Sequence, residues 1–303
     1  MKQLLTAFLV SFSLGLTAQN VMAKAELEAE NVDEVRVDGS FVDVYVKKGD
    51  RVYFSGIIEG NGDDDDYRFD ADIVGSSLVI KVISANSSYN WKNRRITKAR
   101  IDITVTEGIE LDIDNSSGDI NVANLRAAES KIEASSGDVT LRSVIANLEV
   151  ETSSGDIDID GLIGDSRIES TSGDQTLYDI KGNIKTQASS GDITVSKFDG
   201  SIDLEATSGD IDIRGGEGTV EARTTSGEVE GRDILLTGDS YFDATSGDID
   251  VNFDNDLSEL SFDLRTSSGD LEVGSRSAEK RLMIDRGGIK VSGVTSSGDQ
   301  EYD

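Results

Sequence analysis

The chain of 303 residues carries 59 acidic and 29 basic side chains, a formal charge of −30, and has no cysteine, histidine or proline. These absences exclude disulfides, thiolate nucleophiles, histidine triads and ordinary zinc sites, and the charge argues against nucleic acid and anionic membranes as broad partners. Cations and basic surfaces suit it better, and a proline-free chain suits strands paired on both edges.

Lys2, the apolar stretch 4–16 and the small-residue site Val21-Met22-Ala23 read as a signal peptide over 1–23. The mature protein is therefore expected to be exported, to the periplasm or the surface of a bacterium. The apolar run is too short for a membrane span and no second one follows, so no transmembrane helix is expected in the mature chain.

Residues 24–107 read as an N-terminal β-rich cap. Its strands are visible in "VRVDGSFVDVYV" (35–46), "RVYFSGII" (51–58), "SLVIKVI" (77–83) and "ARIDITV" (99–105), with Lys47-Lys48-Gly49-Asp50 and Gly75-Ser76 as hairpin turns. A cap is needed because the open end of a stack of strands invites aggregation. Within it, "NSSYNWKNRRITKAR" (86–100) contains no acid and the sole tryptophan. Arginine and aromatic residues are favoured at binding hot spots, which makes Trp91, Arg94, Arg95 and Lys98 candidate contacts for an envelope or surface protein or glycan. The competing reading is a solvated loop, or a segment paired with the protein's own acids.

From 108 to 303 the sequence is a repeat. Ser-Gly-Asp glycines stand at 118, 137, 155, 173, 191, 209, 227, 247, 269 and 298, with Glu228 replacing Asp once, and five consecutive intervals are 18 residues. Between Gly155 and Gly227 a glycine also falls every nine residues, so each unit is two half-turns. Two and four places after most of these glycines stand aliphatics such as Ile157 and Ile159, with polar residues between them, the period-two code of a strand buried on one face. One unit cannot bury that face alone, so the units must stack. The reading is all-β: a single-stranded β-helix or β-solenoid of about ten coils of ~18 residues with an N-terminal cap. The insertion 275–288 is read as closing the other end.

The run "ARIDITVTEGIELDIDNSSGDINV", followed by repeated "TSSGDI", resembles the bacterial putative-adhesin family, a group of exported β-solenoids of unknown function. That resemblance implies a strand-rich leader before the Ser-Gly-Asp coils and brings no catalytic residues with it.

The repeated Asp has two readings. Ser and Asp side chains commonly bond the backbone of a turn, and this is the preferred account, with no cofactor. Calcium takes six to eight oxygens and could instead bridge a row of carboxylates, with Asp156, Asp158, Asp192, Asp210 and Asp212 as candidates, but the nonapeptide calcium-coil pattern is missing. Paired carboxylates could also serve a polysaccharide-active enzyme, yet a catalytic pair should be singular and these acids are spread evenly. The expected function is a non-enzymatic adhesin or envelope scaffold. The alternatives are that enzyme and an accessory or sensor protein for envelope stress.

Overall fold

The computed structural model describes residues 20–61, 66–84 and 95–303. The alternation of the sequence becomes an alternation of burial: Ile157 and Ile159 lie inside while Asp156, Asp158 and Asp160 face solvent. Each aliphatic so enclosed contributes about 1.5–3 kcal/mol. The second half-turns behave alike, with Ile168, Ile184, Ile202, Leu204 and Val220 all buried.

The strands Gln175–Ser190, Ile193–Ser208 and Ile211–Ser226 each follow most of a coil. They pair in parallel, Gln175 with Ile193 with Ile211 and Ser190 with Ser208 with Ser226, a constant step of 18 residues. Each coil is a rung with two long sides. Ser-Gly-Asp makes the corner on one edge, and the second glycine row, in which Gly182, Gly200 and Gly218 stack, makes the other.

Close approach explains the Ser-Gly-Asp glycines better than conformational freedom does. A methyl group on Gly155 would overlap the carbonyl oxygen of Gly137 in the rung below, and Gly155 itself does not adopt a left-handed φ. A further bend escaped the sequence reading because it is mostly not glycine. Asn124, Ser143, Gly161, Asp179, Lys197, Gly215 and Asp233 all have φ between 54° and 81°. Every such rung thus bulges at a left-handed residue, a conformation that Asn and Asp tolerate better than most.

The order of rungs departs from the order of sequence at both ends. The last strands, Lys290–Ser297 and Gln300–Tyr302, insert between the rung of Ser240–Ser246 and Ile249–Phe253 and that of Ser261–Ser268 and Leu271–Val273. The glycine column therefore runs Gly247, Gly298, Gly269. At the N-terminal end, Glu34–Ser40 lies between Ser77–Ser84 and Glu110–Asn115, and Asp43–Lys48 lies between Ile96–Val105 and Ile120–Ala123. Residues 34–48, and Ser77–Ser84 together with Ile96–Val105, thus add two rungs to the ten marked by Ser-Gly-Asp or Ser-Gly-Glu. Twelve rungs at about 4.8 Å give a rod about 53 Å long.

Antiparallel strands cover the outermost rungs. Tyr67–Val74 pairs with Ser77–Ser84 through the expected Gly75-Ser76 hairpin, and Asn20–Ala29 pairs with Val52–Gly60, which in turn pairs with Ile96–Val105. The turn 47–50 is no hairpin: the strands it joins flank Ile96–Val105 on opposite edges, because Asp43–Lys48 is committed to the rod. At the other end Arg276–Ala278 and Arg281–Ile284 cover the last rung. The expected signal-peptide boundary falls inside the first described strand, where Met22 is buried, and residues 1–19 lie outside the described residues.

The core is aliphatic along most of the rod and aromatic near its C-terminal end. There the fully buried Tyr302 stacks on Phe253 at 6.1 Å and meets Phe242 and Phe262 at 6.1 and 5.8 Å.

Candidate functional site

The Ser-Gly-Asp column is a hydrogen-bonded ladder between rungs. The amide of Asp156 donates to Oδ1 of Asp138 at 3.0 Å, that of Asp174 to Asp156 at 2.9 Å, that of Asp192 to Asp174 at 3.0 Å and that of Asp210 to Asp192 at 2.8 Å. The expectation of side chains bonding backbone holds, but the aspartates reach across to the next rung, not around their own corner. A charged acceptor thus meets an amide that the corner would otherwise leave to water.

The residue three places before each glycine points inward. The hydroxyl of Thr152 donates to the Gly155 carbonyl at 2.8 Å and that of Ser170 to the Gly173 carbonyl at 3.0 Å. Asp158 stands exposed on the strand face, and Asp212 is ion-paired with Arg214. Among the described residues no group of three or more acids is arranged to hold a metal ion. The candidates Asp156, Asp192 and Asp210 each have one oxygen committed to the ladder.

A second acidic row lies four residues before the glycines. Register places Asp38, Asp114, Glu133, Glu151 and Glu169 on five successive rungs. Gln187 and Glu205 extend it. From Asp114 onward these side chains, with the hydroxyls of Ser135, Ser153, Thr171, Ser189 and Thr207, line a lengthwise groove of about 500 Å³. Like charges one strand spacing apart repel appreciably. Burial, reinforced by Glu133, Asp38 and Asp112, pushes the carboxyl of Asp114 above its usual range. Burial and a hydrogen bond with Glu149, against the pull of Lys131, do the same to Glu151. Lys131 relieves part of the strain by bridging Glu133 at 2.7 Å and Glu149 at 3.2 Å. Continuing the repeat alignment upstream of each glycine would have exposed this row in the sequence.

Of the basic candidates, Trp91 and Arg94 lie outside the described residues. Arg95 is exposed, its backbone fixed by an N–H bond to Oδ1 of Asn61 at 2.6 Å. Lys98 is exposed opposite Glu59. Arg100 stacks on Tyr45 at 3.7 Å and bonds Asp102 at 2.7 Å, so it is occupied within the protein.

Stacked rungs in parallel register, glycine columns at the corners and polar rows along the sides define a β-solenoid of the all-β class. The chain belongs to the Toastrack DUF4097 family, whose model matches residues 32–214 and again 196–302. This bears out the likeness to bacterial putative adhesins of unknown function. No curated protein matches the chain. It is similar to a "putative lipid binding protein" from Parabacteroides distasonis ATCC 8503 at 15% identity and a TM-score of 0.45, covering 92% of this chain and 96% of that one. It is also similar to a "putative adhesin" from Bacteroides fragilis NCTC 9343, at 10% identity and a TM-score of 0.33, with 95% and 98% covered. A second "putative adhesin" from P. distasonis shows 12% identity and a TM-score of 0.37, with 94% and 97% covered. Among the described residues no helix is long and apolar enough to cross a membrane.

Proposed function

We propose that the protein is an exported, non-enzymatic binding scaffold of the bacterial envelope or surface, which holds a partner through repeated weak contacts along a stiff rod. The observation that carries this reading is the groove in which Glu133, Glu151, Glu169 and Glu205 face a column of hydroxyls on neighbouring rungs. Such a row presents the same chemistry at fixed spacing, so several weak contacts act together at high effective concentration. The partner it suits is an extended envelope protein or glycan that carries amino groups among hydroxyls.

Raised carboxyl pKa values are spread over several acids, Asp114 and Glu151 in this row and Glu301 outside it. An enzyme would set one carboxylate apart from its neighbours. The exposed Arg95 and Lys98 supply a separate contact of opposite charge at the N-terminal end of the rod.

A pull-down from envelope extract tests the proposal, with wild type compared against a Glu133→Gln/Glu151→Gln/Glu169→Gln variant and a Trp91→Ala/Arg95→Ala variant. Loss of captured material in the groove variant supports the reading. Equal capture by all three, or turnover of envelope polysaccharide by the wild type, defeats it.

A further inference from the structure

A cavity of about 670 Å³ opens at the left-handed bend and shares no lining residue with the acidic groove. Its floor is low because the bend carries Asn124, Ser143 and Gly161 on successive rungs. Its wall is a rib of paired positions, Arg126, Ile145, Ile163 and Lys181, with a register shift just after Arg126. Ile163 is 50% exposed, although β-branched aliphatics elsewhere on the rod are mostly buried. On the next two rungs the same place is taken by Asp199 and Glu217, so the apolar stretch is local and bounded by cations.

The charges around it are unequal. Lys48 is paired with Glu107 at 3.2 Å, and Lys181 reaches Asp199 at 3.8 Å. Asp50 and Asp179 also line the cavity. Among the described residues Arg126 has no ion-pair partner, in a chain with twice as many acids as bases. A free guanidinium beside the half-buried Ile145 and the exposed Ile163 offers a carboxylate its bidentate donor and a hydrocarbon its contact surface.

The groove runs along the rod, across the strands, and the amides of those strands are already paired in the ladder. An extended peptide lying there would find no strand edge to bond and would leave its own backbone unsatisfied. A hydrocarbon chain has no such groups. From Arg126 to Lys181 the rib spans three rung steps, about 14 Å, the reach of a medium-length acyl tail. We infer that this groove binds a single-chain fatty carboxylate, its head on Arg126 and its tail over Ile145 and Ile163. The site is independent of the acidic groove and of the scaffold role proposed for it.

The test is a titration of the full chain, labelled at isoleucine methyls, with dodecanoate below its micelle concentration and with neutral dodecyl maltoside as the comparison. The inference predicts saturable shifts at Ile145 and Ile163 with dodecanoate, weakened about tenfold by Arg126→Ala and abolished by Ile163→Asp. Both replaced side chains are on the surface, and an unchanged melting temperature verifies that each variant is folded. Absence of these shifts, equal affinity for the maltoside, or unaltered binding by Arg126→Ala overturns it.

Discussion

The Oδ1 atom of Asp138 accepts the backbone N–H of Asp156, one rung further along the rod, at 3.0 Å. The same bond recurs at Asp165, whose amide donates to Oδ1 of Asn147 at 3.1 Å on the opposite corner. An amide oxygen therefore serves as well as a carboxylate. Asp156→Asn should retain stability or gain slightly from reduced repulsion, while Asp156→Ala should lose about 1 kcal/mol by removing the acceptor for Asp174. Urea denaturation of the two variants checks the difference.

Glycine is required at the corner column for space and at the bend only for conformation. Gly155→Ala drives a methyl into the Gly137 carbonyl, and Gly161→Ala meets nothing closer than 3.5 Å at a φ of 81°. The first should cost more than about 3 kcal/mol and the second about 1–2 kcal/mol. Thermal unfolding should rank them in that order, and a reversed rank would show that the close approach is relieved by a shift of the rung.

Gln175 is fully buried where most rungs carry an aliphatic. Its Nε2 donates to the Ser170 hydroxyl and the Gln187 carbonyl, both at 2.8 Å, while its Oε1 accepts from Thr186. Gln175→Ile should destabilise by about 1–3 kcal/mol, since it strands the Thr186 hydroxyl. The double variant Gln175→Ile/Thr186→Val should recover much of that loss, and a double-mutant cycle from chemical denaturation measures the coupling.

The acidic row makes stability depend on pH with a definite sign. Because burial and like charges raise the carboxyls of Asp114 and Glu151 in the folded protein, the folded state holds protons more tightly than the unfolded chain. Glu301, crowded by Asp303, Asp250 and Glu272, shifts the same way. Stability should rise as pH falls from neutral toward the ordinary carboxylate values near 4, the gain being complete below them. Asp263 opposes this at lower pH: although burial raises it, Arg265, Arg281 and Lys290 hold it below its usual range, and that stabilisation is lost as it protonates. Melting temperatures across this range should peak on the mildly acid side, and Glu151→Gln should flatten the slope.

Much of the fold was legible because the repeat imposes one answer at many places. Ile157 and Ile159 could be placed inside from spacing alone, and the two glycine rows marked two corners. The order of rungs was hidden, because Gly247, Gly269 and Gly298 carry the same motif and only the structure shows that Gly298 lies between the others. The bend at Ser143 and Asp179 was hidden since neither residue announces a positive φ. Gln175 and Gln300 were visible as departures from the aliphatic pattern. Their partners, such as the Thr295 hydroxyl 3.0 Å from Gln300, depend on which strands meet across the core. The acidic groove is less legible because its Glu and Ser columns lie on the N-terminal side of the motif and Gln187 interrupts the acids.

The most direct measurement of the scaffold claim is retention on an immobilised envelope fraction of a series neutralised one rung at a time: Glu151→Gln, then Glu133→Gln added, then Glu169→Gln added. Multivalent binding along the row predicts a small first loss, a steeper fall with each further rung, and a response to salt that weakens in step. Retention of the triple variant equal to wild type at low salt, or complete loss at the first substitution, would contradict it.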